Sequence, residues 1–124
     1  MSNPAFAFDH VHLISREPKA AAQWYVEMFG AVPGMNGSFK VADLPGVNLR
    51  FSETPKTAGT QGRSLDHIGF EVDDLEGLCR RLEAQGVVFD RPYYERVDEL
   101  DIAYAFLTDP EGTYIELTEG LDGY

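Results

Sequence analysis

The chain has 124 residues, a net charge of −11 and a single cysteine, Cys79. A hydrophobic fraction of 44% suits a packed globular chain, and no apolar run approaches the length a membrane span needs. The acidic balance disfavours a nucleic-acid partner, and one cysteine excludes an internal disulfide, which fits a reducing cytoplasm.

The start, Met1-Ser2-Asn3-Pro4, has no basic stretch leading into an apolar one, so no secretory signal is expected. Phe8-Asp9-His10-Val11-His12-Leu13 is apolar and β-prone and reads as the first strand. A helical pattern follows, with Ala21, Trp24, Tyr25 and Met28 on one face, Pro18 in its first turn and Gly30 as its stop. Two short β runs come next, Ser38–Ala42 and Val47–Ser52. A polar stretch with Pro55, Gly59 and Gly62 then reads as a linker over 55–64.

The pattern then starts again. Leu65-Asp66-His67-Ile68-Gly69-Phe70 matches the first strand, and a second helix carries Leu75, Leu78, Cys79 and Leu82 on one face. Asp73 is the expected cap of that helix and Gly86 its stop. Strands are expected at Val87–Phe89, Ile102–Leu107 and Thr113–Thr118, the last two joined by the turn Asp109-Pro110-Glu111-Gly112. Val47–Glu53 also echoes Thr113–Glu119. The chain therefore reads as α+β, two copies of a βαβββ module, about 6–54 and about 65–121, in one domain over 1–124. Neither half buries a sheet face alone at this size, so two mostly antiparallel sheets are expected to face each other as a cup.

Strand alternation sorts the side chains. His10, His12 and Ile14 share one face, as do His67, Gly69 and Glu71. The same parity groups Tyr114, Glu116 and Thr118, and groups Asn48, Arg50 and Ser52. Burying that many ionisable groups is costly unless a cation or ion partners meet them. A single strand histidine is more often structural. Two at equivalent places of a repeat, with Glu116 on the last strand, point to an open metal shell of two imidazoles and one carboxylate.

These motifs together resemble the vicinal oxygen chelate superfamily, the glyoxalase, bleomycin-resistance and dioxygenase proteins. The carriers are Asp9-His10-Val11, Trp24 to Gly30, Leu65 to Asp74 and Asp109 to Leu117, in that order, so the resemblance spans about Phe8 to Leu121. It implies one divalent metal (iron, manganese, nickel, cobalt or zinc) on His10, His67 and Glu116. A fourth family position, a carboxylate in glyoxalase I, falls near Arg50. Arginine cannot ligate a metal, so the chain resembles the three-ligand members.

Arg50 would then bind a substrate carboxylate, phosphate or phosphonate, or pair with an acid such as Glu71 or Glu116. His12 is a candidate general base, a substrate contact, or the ligand in place of His10. Glu71 is a weaker base candidate. Tyr104, Phe106 and Tyr114 are candidates to line a substrate pocket, or are plain core. The implied activity is a metal-dependent lyase or isomerase of glyoxalase type acting on a small molecule with vicinal oxygens. The alternatives are an iron(II) extradiol ring-cleaving dioxygenase and a non-enzymatic small-molecule binding protein of bleomycin-resistance type. The resemblance also implies a homodimer, and neither nucleic acid nor membrane is an expected partner.

Overall fold

The computed structural model describes residues 5, 7–55, 58–90, 95–97, 99 and 101–120. The chain divides into two compact units, Met1–Thr57 and Ala58–Tyr124. Each is one βαβββ module. Among the described residues no helix is long and apolar enough to cross a membrane.

In the first unit the order is β1 (Val11–Ser15), α1 (Pro18–Phe29), β2 (Val32–Asn36), β3 (Phe39–Leu44) and β4 (Val47–Glu53). The sheet runs β1-β4-β3-β2, with β1 parallel to β4 and the other pairs antiparallel. Pro18 opens α1, where its missing N–H costs nothing, and Gly30 ends it in the left-handed conformation at φ 71°. The buried face of α1 is Ala21, Ala22, Tyr25 and Met28. Trp24, expected on that face, is half-buried, and Ala22 takes its place. Fully buried Tyr25 lies 5.8 Å from Phe51, ring to ring, and Leu13 and Leu49 complete this core.

The second unit repeats the plan with β5 (Ile68–Glu71), α2 (Leu75–Ala84), β6 (Glu95–Val97), β7 (Ile102–Thr108) and β8 (Tyr114–Glu119), in the sheet order β5-β8-β7-β6. Here too the first and last strands are parallel. The cap of α2 is Asp74, not Asp73: its carboxylate accepts from Gly77 N–H at 3.1 Å. Leu75, Cys79 and Leu82 are buried, whereas Leu78 is only half-buried. Leu107, Ile115 and Leu117 are the fully buried large side chains of the sheet's central strands.

Three strand readings change. β2 was not expected, because Pro33 and Gly34 break the β pattern; it is a wholly exposed edge strand, where a missing N–H is tolerated. The three-residue β6 was also not expected. Val87–Phe89 forms no strand but a single bridge from Phe89 to Leu107, leaving Val88 85% exposed.

The stretch 58–64 packs on the β7–β8 hairpin. Thr60 N–H donates to Gly112 O at 2.9 Å, and Thr60 Oγ1 accepts from Tyr114 N–H at 2.8 Å. Gly112 has φ +96°, and a Cβ there would meet Gly59 Cα at 2.9 Å, so both the backbone and the space require glycine.

Candidate metal centre

The ladder registers align the two units residue for residue. Val11 pairs with Leu49 and His12 with Arg50; Ile68 pairs with Ile115 and Gly69 with Glu116. His10 and His67 are therefore equivalents, and Arg50 holds in the first unit the position Glu116 holds in the second. Both histidines were expected inside their strands. Each instead sits one residue before its strand, because the parallel ladders begin only at Val11 and Ile68.

That position lets each histidine turn back to the aspartate before it. His67 Nδ1 lies 2.7 Å from Asp66 Oδ2, and His10 Nδ1 lies 2.7 Å from Asp9 Oδ2. A carboxylate only accepts, so Nδ1 carries a proton in each ring, and in the neutral imidazole Nε2 is left with a lone pair. The Gly62 N–H, and after it His67, hold Asp66 below the usual carboxylate range; His10, and after it Arg50, do the same for Asp9.

In the second unit His67 Nε2 faces Glu116 Oε1 at 3.2 Å. A lone pair opposite a carboxylate oxygen is repulsive unless a positive species joins them, either a proton on Nε2 or a metal ion. The donor set fits a divalent metal: an imidazole oriented by a carboxylate behind it, beside a second carboxylate. His67 and Glu116 are 35% and 23% exposed at the side chain, which leaves both reachable by a ligand. Within either unit, the described residues include no group of three or more His, Cys, Asp or Glu side chains placed to hold a metal ion.

Three of the expected lining residues gather at this pair. Phe106 and Tyr114 stack at 4.9 Å, His67 meets both rings edge-on at 5.5 and 6.1 Å, and Tyr104 meets Phe106 edge-on at 6.0 Å. Burial, ahead of a hydrogen bond to the Asp90 carboxylate and the charges of Asp90, Asp66 and Glu116, pushes the Tyr114 phenol up to about 12. Asp90 is a neighbour the sequence did not single out; it is brought in by its backbone N–H, which donates to Phe106 O at 2.9 Å.

In the first unit His12 Nε2 lies 2.8 Å from Ser52 Oγ, and Phe39 meets the ring edge-on at 4.9 Å. Arg50, for which an acid partner was expected, pairs with Asp9 at 3.2 Å. Glu71 instead accepts from Thr118 Oγ1 at 3.0 Å and from Gly120 N–H at 2.9 Å, a structural use of that carboxylate. A cleft of about 710 Å³ opens at the start of α1 beside Arg16, Glu17, Lys19, Gln23 and Glu53, none of them expected site residues. A smaller one of about 370 Å³ reaches Phe39 and Ser52, which both neighbour His12.

Known proteins share this arrangement of elements. The chain superposes on the fosfomycin resistance protein FosX of Listeria monocytogenes with a TM-score of 0.78 and 18% identity, covering 96% of this chain and 98% of that one. It superposes on the oxidase ChaP-H2 with a TM-score of 0.75 and 20% identity, covering 94% of each. At these identities the likeness is one of fold. A lactoylglutathione lyase of Pseudomonas aeruginosa is 35% identical over 57 residues, 46% of this chain and 30% of that protein, so the chain spans about a third of that relative's length. The family described as the Glyoxalase/Bleomycin resistance protein/Dioxygenase superfamily matches residues 7–117, nearly the whole of both modules, and the chain belongs to that superfamily.

Proposed function

We propose that this protein is a divalent-metal-dependent enzyme of glyoxalase type, a lyase or isomerase acting on a small substrate that presents two adjacent oxygens. His10, His67 and Glu116 are the proposed metal ligands. The observation that carries the reading is the 3.2 Å approach of His67 Nε2 to Glu116 Oε1, with Asp66 fixing the proton on the far nitrogen. Such a metal, when bound, polarises a substrate oxygen as a Lewis acid.

The other roles belong to side chains. His12, oriented by the Ser52 hydroxyl, accepts the proton that leaves the substrate carbon. Tyr104, Phe106 and Tyr114 form an apolar wall beside the ligand pair and hold the organic part of the substrate. Arg50 lies on the same sheet face as His12, where its charge favours an anionic substrate. The protein works as a cytoplasmic homodimer, a state that sedimentation checks directly.

The stacked Phe106–Tyr114 pair favours one alternative, an iron(II) ring-cleaving dioxygenase, since flat rings pack well on such a wall. Elemental analysis of untagged protein, beside Glu116→Ala, separates the readings. About one metal per chain in the parent and its loss in the variant support the metal enzyme. Nickel, cobalt or zinc points to lyase or isomerase assays, and iron to oxygen uptake with catechols. No metal in either protein, even after soaking, overturns the enzyme reading in favour of a binding protein.

A further inference from the structure

The face of the first sheet that carries Asn48 and Arg50 has a continuous line of hydrogen bonds that ends on His10. Asn48 Nδ2 donates to Asp43 Oδ1 at 2.9 Å. Arg50 Nε donates to Asn48 Oδ1 at 3.2 Å, and Arg50 Nη2 donates to Asp9 Oδ2 at 3.2 Å. That same Asp9 oxygen accepts from His10 Nδ1 at 2.7 Å. The second unit braces its equivalent aspartate differently, through the backbone: Gly62 N–H donates to Asp66 Oδ1. Each histidine is thus backed by a carboxylate that is itself held, once by main chain and once by an arginine.

Asp9 needs that support. It precedes the strand, outside the β1–β4 register, and its side chain is 72% exposed. A free carboxylate there would sample several rotamers, and the imidazole would follow it. The guanidinium fork removes this freedom because one planar group is pinned at two points, on Asn48 and on Asp9. Arg50 itself is only 21% exposed at the side chain, so the brace rests on a packed base.

We infer that Arg50, held by Asn48, is a positioning residue: it fixes Asp9, and through Asp9 it keeps His10 in the form that offers Nε2. The purpose of this brace rests on the metal reading above, but its geometry does not. Coulomb repulsion alone predicts the opposite sign, since deleting a cation near a dication strengthens metal binding.

The test uses the full chain in two measurements. In metal-free protein, long-range proton–nitrogen NMR reads which nitrogen of His10 carries the proton. The parent is expected to show the Nδ1–H form, and Arg50→Met and Asn48→Ala a mixture with the Nε2–H form. Cobalt(II) titration, followed by its visible spectrum, is expected to be about tenfold weaker for Arg50→Met, and to change no further when Arg50→Met is added to His10→Ala. Circular dichroism confirms that the variants fold. An unchanged His10 proton position in both variants, or cobalt affinity that stays equal or rises in Arg50→Met, overturns the inference. If the parent binds no cobalt, the metal reading fails by itself and the NMR result alone decides the role of Arg50.

Discussion

Asp66 Oδ2 lies 2.7 Å from His67 Nδ1, and this contact decides which imidazole nitrogen faces Glu116. Were a proton on Nε2, the ring would donate to Glu116 and that nitrogen would have no lone pair for a metal. In the proposed metal site Asp66 would therefore act through His67 without touching the ion.

Replacing it tests that relation. Asp66→Asn keeps the size and removes the charge that holds the proton on Nδ1. Metal affinity is expected to fall about 10–100-fold, as for other carboxylates behind a ligating histidine. Titration with manganese or zinc reads the loss, and an affinity equal to the parent's would remove Asp66 from this role. His67→Ala, in contrast, should abolish stoichiometric binding while far-UV circular dichroism stays unchanged.

Thr60 offers a prediction about the fold alone. Its hydroxyl accepts the Tyr114 N–H at 2.8 Å, at the head of the strand that carries Glu116. Thr60→Ala leaves that N–H without its acceptor and is expected to destabilise by about 1–3 kcal/mol in urea unfolding. Thr60→Ser keeps the hydroxyl and should stay within about 1 kcal/mol of the parent. Equal losses in both variants would mean that the threonine methyl, not the hydrogen bond, matters here.

Much of this architecture was legible because it repeats. Asp9-His10 and Asp66-His67 sit at matching places before parallel ladders of the same register, and strand parity carried Glu116 and Arg50 to equivalent positions. Periodicity found both helices, since the spacing of Tyr25 and Met28, and of Cys79 and Leu82, survives any shift of the helix ends. What stayed hidden depends on contacts distant in sequence. Nothing local tells that Arg50 turns to Asp9, because that contact needs the β1–β4 pairing and the Asn48 amide beside it. β2 was hidden for a different reason: an edge strand needs only one partner and no buried face, so Pro33 and Gly34 are tolerated where the β pattern forbids them.

Cys79 gives a prediction about pH. Fully buried against the sheet on the inner face of α2, the thiol is pushed up to about 11 by burial and, after it, by the Glu83 charge. An unfolded thiol loses its proton near 9.0. Between those values the native state holds a proton that the unfolded chain has released, so unfolding is favoured as pH rises. This contribution to stability is therefore fully present below pH 9 and is lost progressively toward pH 11. Tyrosines and lysines titrate in the same range, so the measurement is the difference in urea midpoint between the parent and Cys79→Ala across pH 8 to 11. The parent should lose more stability than the variant over that interval, and a difference that stays constant would mean that the thiol is not desolvated. The same burial predicts that iodoacetamide labels Cys79 only in denaturant. Labelling under native conditions at the rate of an open thiol would instead mean that α2 lifts from its sheet.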